Sequence, residues 1–216
     1  IRVSSLDYAG ILRDSIGYIR LSGFITGTAK EVRNAFLDLK KDGVKKIVLD
    51  LRDNGGGSLA EAVEIVSLFV PKGTLVISSK GKIEGSNKEY YTTSHPVDTL
   101  VPIMVMINSG SASASEIVAG AIQDLDRGFV AGKRSFGKGL VQSVVPMPFD
   151  GKLKYTTAKY YTPSGRCVQA IDYSHRNEDG SVGNIPDSLT SEFTTKKGRI
   201  VKDGGGITPD IEIDNI

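Results

Sequence analysis

The sequence predicts an α/β fold with helices packed on a sheet. Over the first two thirds of the chain, short runs rich in β-branched residues alternate with stretches whose apolar residues recur every three or four positions. Three tetrads of the type Ser/Thr-x-x-Glu, at 28–31, 58–61 and 113–116, stand where helical stretches begin. In such a tetrad the hydroxyl and the carboxylate satisfy free N–H groups at a helix start. The 216 residues, 39% of them hydrophobic and 24% charged, supply a core for one large domain, or for one domain with a small lobe.

Each element follows from its own residues. Residues 16–21 (IGYIRL) read as a strand. After Thr28, the residues Ala29, Val32, Phe36 and Leu39 lay one apolar stripe along a helix that should stop at Gly43. Residues 44–51 (VKKIVLDL) read as a mostly buried strand, and 53–57 (DNGGG) as a loop. The second tetrad opens a helix expected to reach Val70, before Pro71. A short strand is expected at 74–79, then a polar irregular stretch at 80–100, then a buried strand at 102–107 (PIMVMI). The third tetrad opens a helix ending near Asp126. Residues 128–132 form a strand, and 138–146 and 153–161 look extended. Residues 172–203 are polar with weak periodicity, and read as a long excursion with one strand at 191–195.

Composition excludes several classes. Lys plus Arg number 27 against 25 Asp plus Glu, a net charge of +2, which gives no electrostatic case for nucleic acid or an anionic membrane. No apolar run approaches the ~20 residues a membrane span needs. One Cys rules out an internal disulfide framework, and one Cys with two His is a poor zinc set. The chain opens on Ile1, with no charged leader before an apolar stretch, so it is expected to be part of a longer precursor. No cofactor or metal is expected.

Four segments could carry chemistry. Gly132 to Lys138 matches most of a phosphate loop, G-x-x-x-x-G-K, but Gly139 stands where the magnesium-binding hydroxyl belongs, and a strand-like run follows instead of a helix. Nucleotide binding is therefore not expected. In 108–117 (NSGSASASEI) a buried strand runs through small residues into a helix start. Ser113 there is either a plain helix cap or a nucleophile beside the free N–H of Ala114. A serine nucleophile needs a base. His95 and His175 lie in polar surroundings with no readable Asp partner, which leaves Lys138, set between two glycines and near Phe136, Leu140 and Val141. A lysine acts as base when an apolar site disfavours its ammonium, though a surface turn lysine reads the same. Finally, 50–57 (DLRDNGGG) can offer a backbone N–H to an oxyanion or an anion, or can be a tight turn.

Together these segments resemble the C-terminal processing peptidases, also called tail-specific proteases. The matching stretches are 16–19 (IGYI), 50–57 (DLRDNGGG), 110–117 (GSASASEI), 135–142 (SFGKGLVQ), 156–166 (TTAKYYTPSGR) and 206–210 (GITPD), in family order across nearly the whole chain. The resemblance implies a serine endopeptidase with a Ser-Lys dyad and an acyl-enzyme. It assigns Ser113 as nucleophile, Lys138 as base and Gln142 as the orienting residue, with oxyanion donors on Ala114 and on Gly56 or Gly57. It further implies a crotonase/Clp protease-like spiral of ββα units with a small additional β lobe. Residues 1–216 would be a single catalytic domain, with 172–203 as a long insertion and without the PDZ domain of full-length members. The expected substrate is a protein or peptide bound as an extended strand near its C-terminus, homo-oligomers are left open, and the expected location is the bacterial cell envelope or periplasm.

The chain departs from the family pattern in having Gly55 where many members have proline, and in the roughly 30 residues between Gln169 and the GITPD run. On a straight strand the Cα atoms of Lys138 and Gln142 would be about 13 Å apart, so a contact between them requires a lean or a bulge. Two other readings are a non-catalytic ligand- or peptide-binding module on the same fold, and an acyl-CoA enzyme of crotonase type, which would not need the Ser-Lys pair.

Overall fold

The computed structural model describes residues 4–82 and 85–214. In chain order the elements are β1 (Leu6–Ile11), β2 (Ile16–Leu21), α1 (Thr28–Lys41), β3 (Lys46–Asp50), α2 (Leu59–Ser67), β4 (Leu75–Lys80) and β5 (Lys88–Tyr91). They continue with β6 (Ile103–Ile107), α3 (Ala114–Asp124), β7 (Phe129–Gly132), β8 (Leu140–Pro146) and β9 (Lys152–Tyr161). The last are β10 (Ile171–Arg176), β11 (Val182–Asn184), β12 (Glu192–Thr194), β13 (Ile200–Lys202) and β14 (Ile211–Glu212).

The expected mixed α/β fold is present. A six-stranded sheet has the order β1-β2-β3-β6-β7-β14. Only its β1–β2 pair is antiparallel, and the other neighbours are parallel. A second sheet, β5-β4-β9-β8, is antiparallel throughout. Two short hairpins, β10–β11 and β12–β13, occupy the excursion, where a single strand was expected. The expectation of irregular chain at 80–100 is corrected by β5, whose Tyr90 and Tyr91 pair with β4.

The apolar stripe of α1 behaves as its spacing dictates. Val32, Phe36 and Leu39 are buried, and the Phe36 ring lies 5.2 Å from that of Phe69. The cap does not. Gly27, at φ 99°, is the N-cap. Thr28 donates its hydroxyl to Ile25 O at 2.7 Å and is not the predicted cap. The carboxylate that satisfies this helix start is Glu61 of α2, which accepts the N–H groups of Gly27 (2.9 Å) and Ala29 (2.7 Å). An acidic group from a neighbouring helix thus meets both the free donors and the positive dipole end. Ser58 does cap α2, accepting from Glu61 N–H at 3.4 Å, and that helix ends at Ser67, short of Val70.

α3 is buried along all eleven residues, as a central helix must be. Its polar side chains are therefore bound by partners. Arg166 and Asp124, both fully buried, pair at 2.8 Å, and Arg166 also donates to Gln123 Oε1 at 2.6 Å. Among the buried side-chain nitrogen and oxygen atoms of the described residues, Arg166 Nε alone lacks a hydrogen-bond partner. The excursion is fastened to the same end of α3: Arg199 Nε donates to Asp126 at 2.6 Å and Lys196 N–H to Asp124 O at 2.8 Å.

Removing one member of a buried ion pair strands the other charge away from water. Arg166→Ala is expected to lower the unfolding free energy by about 3–5 kcal/mol, read from urea denaturation. A loss below ~1 kcal/mol would show that the pair does not support the fold.

Candidate active site

Three adjacent parallel strands, β3, β6 and β7, end on the same side of the sheet. The loops that leave those ends carry Gly56 and Gly57, then Ser113, then Lys138. Ligand sites of open α/β sheets lie outside the carboxyl ends of strands in this way. The loop after β3 and the one after β6 each run into a helix start, α2 and α3.

Ser113 directly precedes α3 with φ 57° and ψ −111°, a backbone state that side chains other than glycine rarely adopt. Neighbouring groups fix it there. Glu116 Oε2 accepts the Ser113 N–H at 2.9 Å, which is the carboxylate half of the predicted capping box. Asn54, fully buried, holds the flanks: its carbonyl accepts Ala112 N–H (3.0 Å) and the Ser115 hydroxyl (2.8 Å). Its amide donates to Leu21 O at 2.9 Å.

The glycine loop lies against this turn. A Cβ on Gly56 (φ 96°) would fall 2.5 Å from Ala112 O, 2.8 Å from Ser113 Cβ and 2.9 Å from Ala114 N, so only glycine fits. The Gly56 N–H is already given to Asn54 Oδ1 at 2.9 Å. Gly57 forms a parallel bridge with Phe24, in which Phe24 N–H donates to Gly56 O and Ser58 N–H to Phe24 O. That pattern turns the Gly57 N–H away from Phe24. Gly57 is exposed. As the first residue of α3, Ala114 has one of the N–H groups a helix cannot pair internally. Gly55 has open space around it and no positive φ, so nothing in the geometry demands glycine there.

Lys138 is half-buried. It shares a small pocket of about 10 Å³ with Ser113, walled by Ile77, Ile117, Tyr160, Thr162 and Val168 and by Glu116. Glu116 also joins the two loops through backbone. Its Oε2 accepts Lys138 N–H at 2.9 Å, and its Oε1 accepts Gly137 N–H at 2.7 Å and the Ser135 hydroxyl at 2.6 Å. Burial pushes the Glu116 carboxyl up, against the pull of these donors.

Gln142 is not brought to this pocket. It is exposed on β8, opposite Thr156, next to a register shift at Val141 and Gln142. The register leaves Thr157 of β9 as the extra residue, so the bulge lies on the partner strand. The phosphate-loop look-alike is also explained: Lys138 leads into β8, not into a helix.

Behind the glycine loop, Asp50 is fully buried at the end of β3. Arg52 donates to it from Nε (3.0 Å) and Nη2 (2.7 Å), and the Tyr18 hydroxyl donates as well. Burial works to raise this carboxyl, but the hydrogen bonds from Arg52 and Tyr18 outweigh it, and it titrates below the ordinary range. Asn54 and Glu116 were legible only as a loop residue and a cap residue. Their buried polar positions are the signal that sequence spacing does not carry.

A larger cavity of about 400 Å³, lined by Arg134, Asp187, Lys202 and Asp203 among others, includes none of the six candidate residues. Among the described residues no acidic, His or Cys group could hold a metal ion.

A family model described as Peptidase family S41 matches residues 15–175. The chain is 38% identical over 165 residues to the chloroplastic C-terminal processing peptidase of Tetradesmus obliquus, covering 76% of this chain and 35% of that protein. It is 41% identical over 175 residues to the carboxy-terminal-processing protease of Bartonella bacilliformis, covering 79% of this chain and 40% of that protein. A solved structure, the photosystem II D1 C-terminal processing protease, superposes with a TM-score of 0.70 at 29% identity, over 98% of this chain and 46% of that one. The chain spans less than half the length of each of these proteins.

A methyl group at Gly56 must displace backbone, whereas one at Gly55 meets nothing. Gly56→Ala is expected to destabilise by about 1–3 kcal/mol and Gly55→Ala by less than ~0.5 kcal/mol, measured side by side by chemical denaturation. Equal effects would mean that Ser113 is not wedged against this loop.

Proposed function

The chain belongs to peptidase family S41, and on that premise we propose that it is a serine endopeptidase of the C-terminal processing type, with residues 1–216 acting as one catalytic unit. The observation that carries this reading is the shared pocket of Ser113 and Lys138 at a helix N-terminus, walled mostly by aliphatic and aromatic side chains together with Thr162 and Glu116. In it, the neutral amine of Lys138 takes the proton of Ser113 Oγ, and Oγ attacks the scissile carbonyl carbon. The resulting oxyanion receives the N–H groups of Ala114 and Gly57. Gly57 is preferred over Gly56 because the Gly56 N–H is committed to Asn54. The Lys138 ammonium then returns its proton to the leaving amine, and water hydrolyses the ester on Ser113.

The substrate is a protein or peptide, bound as an extended strand near its C-terminus. The free edge of β8, which begins two residues after Lys138, offers the backbone donors and acceptors for such pairing. Gln142 lies on that edge, and its orienting role rests on the family resemblance. Among the described residues no helix is long and apolar enough to cross a membrane, and the bacterial cell envelope or periplasm is the proposed location on the strength of the family resemblance.

Peptide cleavage tests the assignment. Ser113→Ala and Lys138→Ala are each expected to lower kcat/KM about a thousandfold or more, and Gln142→Ala about tenfold. Undiminished turnover in either of the first two removes that residue from the mechanism. Binding of a peptide with no turnover in the wild type would favour the carrier reading instead.

A lysine serves as base only as the free amine. Cleavage is therefore expected to climb as pH is raised from about 6 to about 9. A profile that is flat across that range, at constant fold content, would argue for a different base.

A further inference from the structure

The overall charge of +2 conceals a segregation. The stretches 72–91 and 138–161, which form the four-stranded sheet and its turns, hold eight lysines and three acidic residues, so the rest of the chain is net acidic. The β8–β9 hairpin of this sheet ends in an apolar turn. Met147 N–H closes it by donating to Gly151 O at 2.8 Å. Phe149 and Asp150, within the turn, both have positive φ, 60° and 56°. Asn or Gly adopts that state readily, and a bulky aromatic does not. Phe149 is fully exposed at 103%, with Val144 at 56% and Met147 and Leu153 at 48% each. The turn thus holds an aromatic in a disfavoured backbone state where it covers nothing in the fold.

Two cations stand just behind it. Lys152 pairs with Pro146 on the last rung of the hairpin, and Lys154 with Val144 two rungs back, a further ~7 Å at the rise of a strand. An apolar tip with lysines set back by about the depth of a headgroup layer matches an anionic bilayer. The ring and the aliphatic side chains reach the acyl boundary while the ammonium groups meet phosphates. A folded protein partner would need a matching cavity for a lone convex ring, whereas a bilayer deforms around one.

We propose that the β8–β9 hairpin docks this chain on an anionic lipid surface, with Phe149 entering the interface and Lys152 and Lys154 binding the phosphate headgroups. This stands apart from the peptidase reading, because none of the three residues belongs to the Ser113 pocket.

The chain contains no tryptophan, so Phe149→Trp supplies a single reporter. Its emission is expected to move to shorter wavelength with vesicles of phosphatidylcholine and phosphatidylglycerol, and not with phosphatidylcholine alone. In vesicle sedimentation, Phe149→Asn, which suits the left-handed turn and spares the fold, should weaken binding about tenfold. The double variant Lys152→Gln/Lys154→Gln should do the same, and salt should weaken the wild type. Peptide cleavage by Phe149→Asn should be unchanged. No emission shift, or equal sedimentation of wild type and Phe149→Asn, overturns the proposal. So does binding to polyglutamate without vesicle binding, which would assign the surface to an acidic protein. Concentration-dependent self-association abolished by Phe149→Asn, again without vesicle binding, would assign it to a second copy of the chain.

Discussion

Glu116 sits in the first turn of the most buried helix, and its two carboxylate oxygens take four donors: the N–H groups of Ser113, Gly137 and Lys138 and the hydroxyl of Ser135. Two of those donors belong to the residues proposed as nucleophile and base. The carboxylate therefore sets the separation of two loops that are otherwise far apart in sequence. Desolvation opposes the arrangement by disfavouring the charge. The donors and the positive end of α3 counter part of that cost. A sulfur or hydroxyl side chain at this place could not accept from four donors at once.

The second constraint is the backbone at Ser113. A positive φ in a serine is costly and persists only when its surroundings leave no alternative. Asn54 supplies those surroundings by holding Ala112 and Ser115 on either side, while Gly56 closes the remaining space. Asn54 also takes the Gly56 N–H, and so decides which glycine N–H is left free. Buried Asp50, held by Arg52 and Tyr18, anchors the root of the same loop. Polar residues thus fix the shape of the glycine loop, and the glycines supply the lack of bulk that lets it approach.

Much of this was legible in the sequence where the determinants are local. The strand at 16–21 is matched residue for residue, because its β-branched, aliphatic and aromatic residues, Ile16, Tyr18, Ile19 and Leu21, specify it locally. The starts of α2 and α3 fall at Ser58 and Ser113 for the same reason. The misreadings lie where partners come from elsewhere. Thr28 and Glu31 have the spacing of a capping box, yet Glu61 outcompetes Glu31 for the helix start from across the fold. β5 is too polar to announce itself and exists because β4 offers it a neighbour. The hairpins at 171–202 are pinned by Arg199 to Asp126, a long-range contact that no periodicity reveals. At the site, residue types pointed to Ser113 and Lys138, but Ser113 as a cap and Ser113 as a nucleophile look identical in sequence. The net charge was equally uninformative about surfaces, since a sum erases position.

The loop that carries Lys138 shows how little of the site is built from neighbouring sequence. Phe136 N–H donates to Ser111 O, Gly139 N–H to Gln169 Oε1 and Ser135 N–H to Ile207 O. Ile207 N–H in turn donates to the Ser135 hydroxyl at 2.6 Å, the same hydroxyl that donates to Glu116. A Cβ at Gly206 would strike Ser135, so the chain near 206 must be glycine to come this close. The family model ends its match at residue 175, whereas the backbone that steadies the Lys138 loop comes in part from 206–207. The GITPD run is therefore part of the support of the site, although it lies outside the matched region.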